Sequence, residues 1–349
     1  RRPTTTRARK RPALSRQGST ASGPSSPSAA AKRGSAPAPA TAANASSAAN
    51  DIDTGEESLA VTPEDAEAAL AAALGDGWAA VSGAEGMESK KWQERKGALE
   101  ALRSFVTGEA ASAAALTPSL VVYVSGKTRG FKESNFNVMR EVLALFAAAF
   151  GKVAEEAEGA DVVSQLGGLR SAAAPVLKAA TDKLNDRKLA ENCRALLSAA
   201  AEVLGLRFVA LKSLKSLKDA KAPLLRIAIL DFLREGVESF GVGALGSSLA
   251  TVAQNGVIEA AHSNAKVRTA GLALVGAAYV QVGSPLRTLI LAPTVAYPSA
   301  VSASTRSSVE SHLGGLTPAP IFQPTKTVKV AEVGAAAGGG GGGAGGAIP

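Results

Sequence analysis

The body of the chain alternates short polar stretches with longer segments in which apolar residues return at helical spacing. Five segments share one layout, a polar and often basic loop followed by an amphipathic helix. Their loops begin near residues 89, 127, 184, 218 and 263, at intervals of 38, 57, 34 and 45 residues. A second helix fits between most of these loops, so the pattern predicts stacked helical hairpins. The longest interval holds an extra stretch, residues 153–171.

The amino-acid composition favours the same architecture. Aromatic residues make up only 4% of the chain, and the apolar residues are largely Ala, Leu and Val, which suit helices better than strands. The predicted fold class is all-α, a HEAT-repeat α-solenoid slab. In such a slab each hairpin buries its apolar face against its neighbours, and equivalent loops lie along one edge.

The first and last helices of the body have their own signals. Thr62 is predicted to cap a helix that starts at Pro63, carries acidic residues in its first turn and stops at Gly75. The sixth repeat departs from the pattern, because Pro293 and Pro298 interrupt the region where a regular helix pair would stand. We expect the last hairpin to be irregular.

Both ends of the chain differ in composition from the body. Residues 1–60 are rich in Ser, Ala and Pro, and we expect a disordered basic linker there. Residues 1–50 contain nine Lys and Arg and no acidic residue, which leaves 29 basic and 30 acidic residues in the rest. Residues 321–349 end in polyglycine and are predicted to be a disordered tail, which leaves 61–320 as the folded domain. Because the first residue is Arg, we interpret the chain as a fragment.

The sequence gives no support for enzymatic, metal or cofactor chemistry. Gly126-Lys127-Thr128 lacks the first Gly of a phosphate-binding loop, and the GxGxxG match at 241–246 follows a predicted helix where a strand is required. Cys193 is the single cysteine, set among small apolar residues of a helix, and buried packing is its expected role. No apolar run reaches the roughly 18 residues that would span a bilayer.

Trp92 lies among lysines at the first turn of a predicted helix, and two interpretations of it remain open. It falls within about 20° of Leu99 around a helix, so it can extend the apolar stripe of the core. Amphipathic rings at such edges are also common anchors of protein interfaces. The pattern alone does not decide between them.

Basic residues recur at the five loops, and repetition favours a binding surface over isolated solvated charges. Arg268 has a competing role, since an Arg early in a HEAT helix often pairs with an acid of the neighbouring repeat, here Asp219 or Asp186. The cations that could line one edge are Lys127, Arg129, Lys132, Arg187, Lys188, Lys218, Lys221, Lys266 and Arg268.

At these residues the chain resembles the TOG domains of the microtubule polymerase family, over roughly residues 61–320. "TPEDAEAAL" followed by "KKWQERKGALEAL" is similar to the opening of such a domain. "GFKESNFNVM" resembles the second-repeat entry of the third TOG domain in plant and animal members. "NAKVRTAGLALVGAAYVQVGSPLR" and "LTPAPIF" resemble its fifth repeat and its exit.

The resemblance implies a microtubule-associated protein that binds α/β-tubulin through its loop edge, promotes plus-end growth and organises microtubules and the spindle. Trp92 would contact β-tubulin, with 127–132 and 187–188 continuing the edge, while 218–221 and 266–268 would face α-tubulin. Arg95, Phe131 and Asn264 complete the implied contact residues. The implied location is the cytoplasm, on microtubules, spindle and plus ends, with no cofactor, no small-molecule substrate and no membrane partner.

Two other functions stay open. A generic HEAT-repeat scaffold would bind proteins other than tubulin through the same edge. A nucleic-acid binder would use the Arg-rich N-terminal residues, but the near-neutral body and the lack of interleaved aromatic residues in 1–50 argue against it.

Overall fold

In the computed structural model, the structure describes residues 61–108, 112–157, 160–319 and 321–330, without the side chains of residues 160–164. This part of the chain contains helices and no strand. The α-helices are α1 (Pro63–Leu74), α2 (Trp92–Thr107), α3 (Ala113–Lys127), α4 (Phe136–Glu156), α5 (Ala160–Asp182), α6 (Ala190–Leu204), α7 (Leu206–Asp219), α8 (Pro223–Phe240), α9 (Leu249–Ala260), α10 (Ala265–Val282), α11 (Ser284–Leu291) and α12 (Ala303–Gly314).

The helices stack as two layers of hairpins, which confirms the predicted HEAT-repeat solenoid. In the odd layer α1, α3, α5, α7 and α9 pack side by side in that order. In the even layer α2 packs on α4 and α4 on α6, and α8 packs on α10. Each odd helix and the even helix that follows it form one repeat, so the five loops identified in the sequence are the turns inside repeats 1 to 5.

The predicted start of the first helix is confirmed. Thr62 has an extended backbone, and its hydroxyl accepts a hydrogen bond from the Asp65 amide at 3.1 Å. Pro63 occupies the first helical position, and the helix ends before Gly75, whose φ of +54° favours glycine. A 3-10 helix, Gly75–Ala80, follows.

The long second interval arises from helix length. The extra stretch 153–171 contains no separate element among the described residues, because α4 extends for 21 residues and α5 for 23. Longer helices keep the hairpin topology intact and still separate the loops further along the chain.

The core contains the apolar stripe predicted for α2. Leu99 and Leu102 are fully buried, as are Phe146 and Phe150 of α4, the helix that packs on α2. Burial of each such side chain stabilises the fold by about 1.5–3 kcal/mol, which makes the packing of helices against one another the main source of stability.

The sixth repeat is a short hairpin rather than a regular pair. Helix α11 has only eight residues, and α12 begins at Ala303 after a connection that contains both Pro293 and Pro298. These prolines therefore lie between the helices, where they remove no helical hydrogen bond.

The predicted terminal segments lie largely outside the described residues. The basic linker 1–60 and residues 331–349 are not described, and residues 321–330, assigned to the tail from the sequence, run along the helices of the body. The reason is a set of long-range hydrogen bonds that no local pattern reveals. Among the described residues, no helix combines the length and apolarity needed to cross a membrane.

Cys193 lies in α6 with no exposed surface, and burial raises the pKa of its thiol from 9.0 to about 12. At pH 8 this lowers the thiolate fraction by roughly a thousandfold. We therefore expect iodoacetamide to label the native protein at least about a hundredfold more slowly than the urea-unfolded protein. Comparable labelling rates would contradict the burial of this thiol.

Candidate functional site

The five loops that join an odd helix to the next even helix, together with the helix turns next to them, are called the loop edge. They are loop 1 (81–91), loop 2 (128–135), loop 3 (183–189), loop 4 (220–222) and loop 5 (261–264). Because neighbouring repeats stack in parallel, these loops follow one another along the slab. Contacts between loops 1, 2 and 3 fix the positions of these three loops relative to one another.

Two contacts tie loop 2 to loop 1. The ammonium of Lys127, the last residue of α3 before loop 2, forms an ion pair with Glu88 of loop 1 and lowers the pKa of that carboxyl. Arg95 in the first turn of α2 pairs with Glu133 of loop 2 at 3.1 Å. Loops 1 and 2 therefore form one continuous surface.

Loop 3 is joined to this surface by a ring contact. The Lys188 ammonium lies 4.3 Å from the centre of the Phe136 ring, at the start of α4. Such cation–π pairs are worth about 0.5–1 kcal/mol at exposed sites. Further along, the first turn of α8 is tied to the end of α9 by the ion pair between Arg226 and Glu259.

Trp92 is the first residue of α2, and the structure gives it both predicted environments. The indole is partly buried and packs against the core cluster, and the rest of its surface is exposed at the loop edge. The ring is therefore held in place by the core and still accessible to a partner.

Arg95, predicted as a contact residue, is bonded inside the domain. Its guanidinium donates to the backbone oxygens of Ser89 and Lys90 at 2.8 and 3.3 Å, besides its pair with Glu133. Only 18% of its side chain is exposed. The structure assigns Arg95 the role of holding loop 1 in shape, which differs from the direct contact that the sequence suggested.

Arg268 repeats this arrangement in the fifth repeat. Its guanidinium donates to the backbone oxygens of His262 and Ser263 at 3.1 and 2.9 Å, the residues six and five positions before it, as in Arg95. Arg268 makes no ion pair with Asp219 or Asp186 in the described part of the chain, so the predicted alternative is wrong. Inter-repeat pairs of that kind do form, at Arg95 with Glu133 and at Arg226 with Glu259.

Phe131, also predicted to be a contact residue, belongs to the core. Its side chain is 2% exposed and meets Phe146 edge-to-face at 5.8 Å. The backbone of Arg129, Gly130 and Phe131 is left-handed at three successive residues, with φ of +53°, +71° and +62°, and this turn directs the ring inward. The same turn leaves Arg129 and Lys132 exposed.

Asn264 is the N-cap of α10. Its side-chain oxygen accepts hydrogen bonds from the amides of Lys266 and Val267 at 2.9 and 3.4 Å. Asn264 therefore has a structural role as a helix cap. It is also exposed at the loop edge.

We expect Asn264→Ala to lower the free energy of unfolding by about 1 kcal/mol, because two amides of the first turn of α10 lose their acceptor. Asn264→Ser keeps a capping oxygen and should retain most of the stability. Urea unfolding followed by circular dichroism measures both. If Asn264→Ala left stability unchanged and weakened partner binding alone, the capping role would be contradicted.

Most of the predicted cations are exposed and have no acidic partner. Lys127 is neutralised by Glu88, and Arg268 is bonded to backbone oxygens of its own loop. Within the described ranges, the other seven make no ion pair with a carboxylate: Arg129, Lys132, Arg187, Lys188, Lys218, Lys221 and Lys266. They lie at loops 2 to 5. Their charge is available to an acidic surface at no cost in broken ion pairs.

Two exposed apolar side chains on this edge were not identified from the sequence. Phe136 begins α4 and is 39% exposed, and Leu224 is the second residue of α8 and is 66% exposed. Their position in the sequence could have identified them, since both fall in the first turn of an even helix and outside its buried stripe. With Trp92, they place apolar surface among the cations of repeats 1, 2 and 4.

Within the described residues no group of three or more His, Cys, Asp or Glu side chains is arranged to hold a metal ion. The GxGxxG match begins at Gly241, the C-cap of α8, and continues into the 3-10 helix Val242–Ser248. It follows a helix and not a strand, in agreement with its exclusion as a nucleotide-binding motif.

No protein-family profile matches the chain. The chain is 25% identical over 201 residues to Protein mini spindles of Drosophila melanogaster, a match that covers 58% of this chain and 9% of that relative. It is similar in structure to TOG3 of Drosophila melanogaster Mini spindles, with a TM-score of 0.54 and 21% identity, over 71% of this chain and all of that one. The chain has the fold of a TOG domain. This similarity confirms, at the level of the fold, the resemblance identified in the sequence.

Proposed function

We propose that this TOG domain binds the α/β-tubulin heterodimer through its loop edge and takes part in microtubule growth. Its fold, and its similarity to part of a mini spindles protein, support a microtubule-associated role. The observation that carries the finer proposal is the combination on one edge of partly exposed Trp92, Phe136 and Leu224 with seven cations that have no carboxylate partner among the described residues. Apolar anchors within a cationic rim suit an acidic protein surface.

In this proposal the two parts of the edge contact different subunits. Trp92, with the cations of loops 2 and 3, faces β-tubulin, and Lys218, Lys221 and Lys266 face α-tubulin. Arg95 and Arg268 shape their loops, and Phe131 supports loop 2 from the core. The work of the domain is recognition, and no covalent step is needed.

A stiff edge gives the binding a preference for one shape of its partner. A solenoid with a close-packed core deforms little, so its loops fit one curvature of the tubulin dimer better than another. The difference in affinity between the curved and the straight dimer then favours capture of curved dimers and their release once they straighten in the lattice. We place this activity in the cytoplasm, at microtubule plus ends and the spindle.

The basic N-terminal residues supply a second, weaker attraction in this proposal. Their nine cations and the acidic surface of microtubules would attract each other without sequence specificity, and this attraction falls as salt rises. These residues lie outside the described structure, and the proposal for them rests on charge alone.

Size-exclusion chromatography of the full chain with unpolymerised tubulin tests the proposed function. Co-elution at low and at physiological salt is expected, because the anchors are apolar and salt screens only the cationic rim. Unrelated acidic protein and RNA serve as controls. Equal co-elution of the chain with tubulin, acidic protein and RNA would indicate binding driven by charge alone. If the chain formed no complex with tubulin, the generic scaffold would be the better account.

A further inference from the structure

The segment formed by Ala319 and residues 321–330, called the C-terminal strap, crosses the ends of three even helices. Its backbone amides donate to carbonyls in their last turns: Ala319 to Val280 of α10 at 2.7 Å, Thr325 and Lys326 to Ser239 of α8 at 2.9 and 3.0 Å, and Lys329 to Glu202 of α6 at 2.6 Å. Carbonyls at helix C-termini have no partner within the helix. The strap therefore caps α10, α8 and α6 in turn.

Side chains fasten the strap along the same path. The Lys326 ammonium reaches Glu202 at 3.1 Å and also donates to the Ser198 hydroxyl, so it grips α6. Phe322 lies so close to Gly241 that a Cβ there would be 3.0 Å from its ring. Val330 is 1% exposed. The strap is a packed part of the domain.

The strap bridges the weakest junction of the even layer. Helices α6 and α8 pack less closely on each other than α4 on α6 or α8 on α10, and an ion pair between Arg194 and Glu235 joins them. Between them lies a cavity of about 260 Å³, lined by Phe232 and Phe240 of α8 and by Lys326 of the strap. A single residue, Gly205, connects repeat 3 to repeat 4. This junction divides loops 1 to 3 from loops 4 and 5.

We propose that the strap sets the angle between repeats 1–3 and repeats 4–6 and so keeps the two parts of the loop edge in register, with Lys326 as the main positioning residue. The strap holds the C-terminal ends of the even helices, and the loop edge lies at their N-terminal ends. Helix α8 is about 27 Å long, so a change of 10° at the junction moves a loop by about 5 Å. That displacement is larger than a hydrogen-bonded or apolar contact tolerates.

The consequence for binding rests on the proposed function. A partner that must contact both parts of the edge at once benefits from their being held in place before it binds, because less conformational freedom is lost on association. The strap is expected to raise affinity without contacting the partner, since it lies at the opposite ends of the helices.

The angle is measured first, without any partner. Spin labels are attached at Gln93→Cys in α2 and Thr269→Cys in α10 of the full chain, in a Cys193→Ala background, and the distance distribution between them is determined by pulsed electron paramagnetic resonance. With Lys326→Ala plus Phe322→Ala, we expect the distribution to widen or shift by at least about 3 Å. Lys326→Arg should keep the parent distribution, and Lys329→Ala is the matched control, because this strap lysine has an exposed side chain.

An unchanged, narrow distribution in the double variant would overturn the proposal. If the double variant loses its helical circular dichroism, the single variants Lys326→Ala and Lys329→Ala are compared instead. Identical distance distributions for these two variants would also overturn the proposal.

Tubulin binding is measured second, with the unlabelled full chain. The double variant is expected to bind about tenfold more weakly than the Lys329→Ala control. Altered distances with unchanged affinity would overturn the role of the strap in binding. If the parent chain itself binds no tubulin, the proposed function fails, while the distance measurement still decides whether the strap sets the angle.

Discussion

Trp92→Glu is expected to abolish co-elution of the chain with unpolymerised tubulin. The core fixes one part of the indole while the other part is exposed at the loop edge, which is the setting of an interface hot spot. The substitution removes this anchor and brings a carboxylate to an acidic partner. We expect a loss of at least about 30-fold in affinity, which corresponds to about 2 kcal/mol.

Gln93→Glu is the matched control for this prediction. It introduces the same charge at the next residue, which is exposed, and should weaken binding only slightly. Since part of the indole packs on the core, the melting temperature of each variant must be measured beside its binding. A folded Trp92→Glu variant that bound tubulin like the parent would assign the indole to the core alone.

Phe131→Ala is expected to lower the free energy of unfolding by about 3–5 kcal/mol, because it empties a buried site against Phe146. Phe136→Ala removes the same ring five residues later from an exposed position and should cost less than about 1 kcal/mol. Urea unfolding of the two variants measures the difference.

For tubulin binding we expect the opposite order of effects: among folded variants, Phe136→Ala should weaken binding more than Phe131→Ala. Folded Phe136→Ala is expected to bind about tenfold more weakly, because it removes exposed apolar surface and the ring beneath Lys188. The assignment of the two rings would be reversed if Phe136→Ala proved strongly destabilising, or if Phe131→Ala left stability intact and impaired binding.

The helices and their starting points were predictable because their signals are local. Thr62 and Pro63 are adjacent to the helix they begin, and the stripe of Leu99 and Leu102 repeats within two turns. Trp92 was placed in the first turn of α2 by the same reasoning. Such signals need no knowledge of the tertiary fold.

The directions of side chains in loop 2 were not predictable from its sequence. Phe131 and Phe136 stand in the same basic segment, and what separates them is a left-handed turn at residues 129–131 that points one ring inward. Phenylalanine rarely adopts a positive φ, so no propensity would have suggested this turn. Burial of the ring against α4 stabilises it.

Contacts between distant parts of the chain were also beyond the sequence pattern. Lys326 and Glu202 are separated by 124 residues, and residues 321–330 have neither helical nor strand periodicity. For that reason the sequence pattern assigns these residues to the Gly-rich tail. Their order comes from the unpaired carbonyls of helices that fold elsewhere.

The arginines of the first and fifth repeats show that a loop shape can be specified within one hairpin. In both Arg95 and Arg268 the guanidinium reaches the carbonyls six and five residues earlier, so each turn is braced by a residue of its own helix. A hairpin built in this way is a module, and its tip can be redesigned for another binding target while the brace preserves its geometry. Engineers of repeat proteins could use residues 262–268 as a graft that brings its own support.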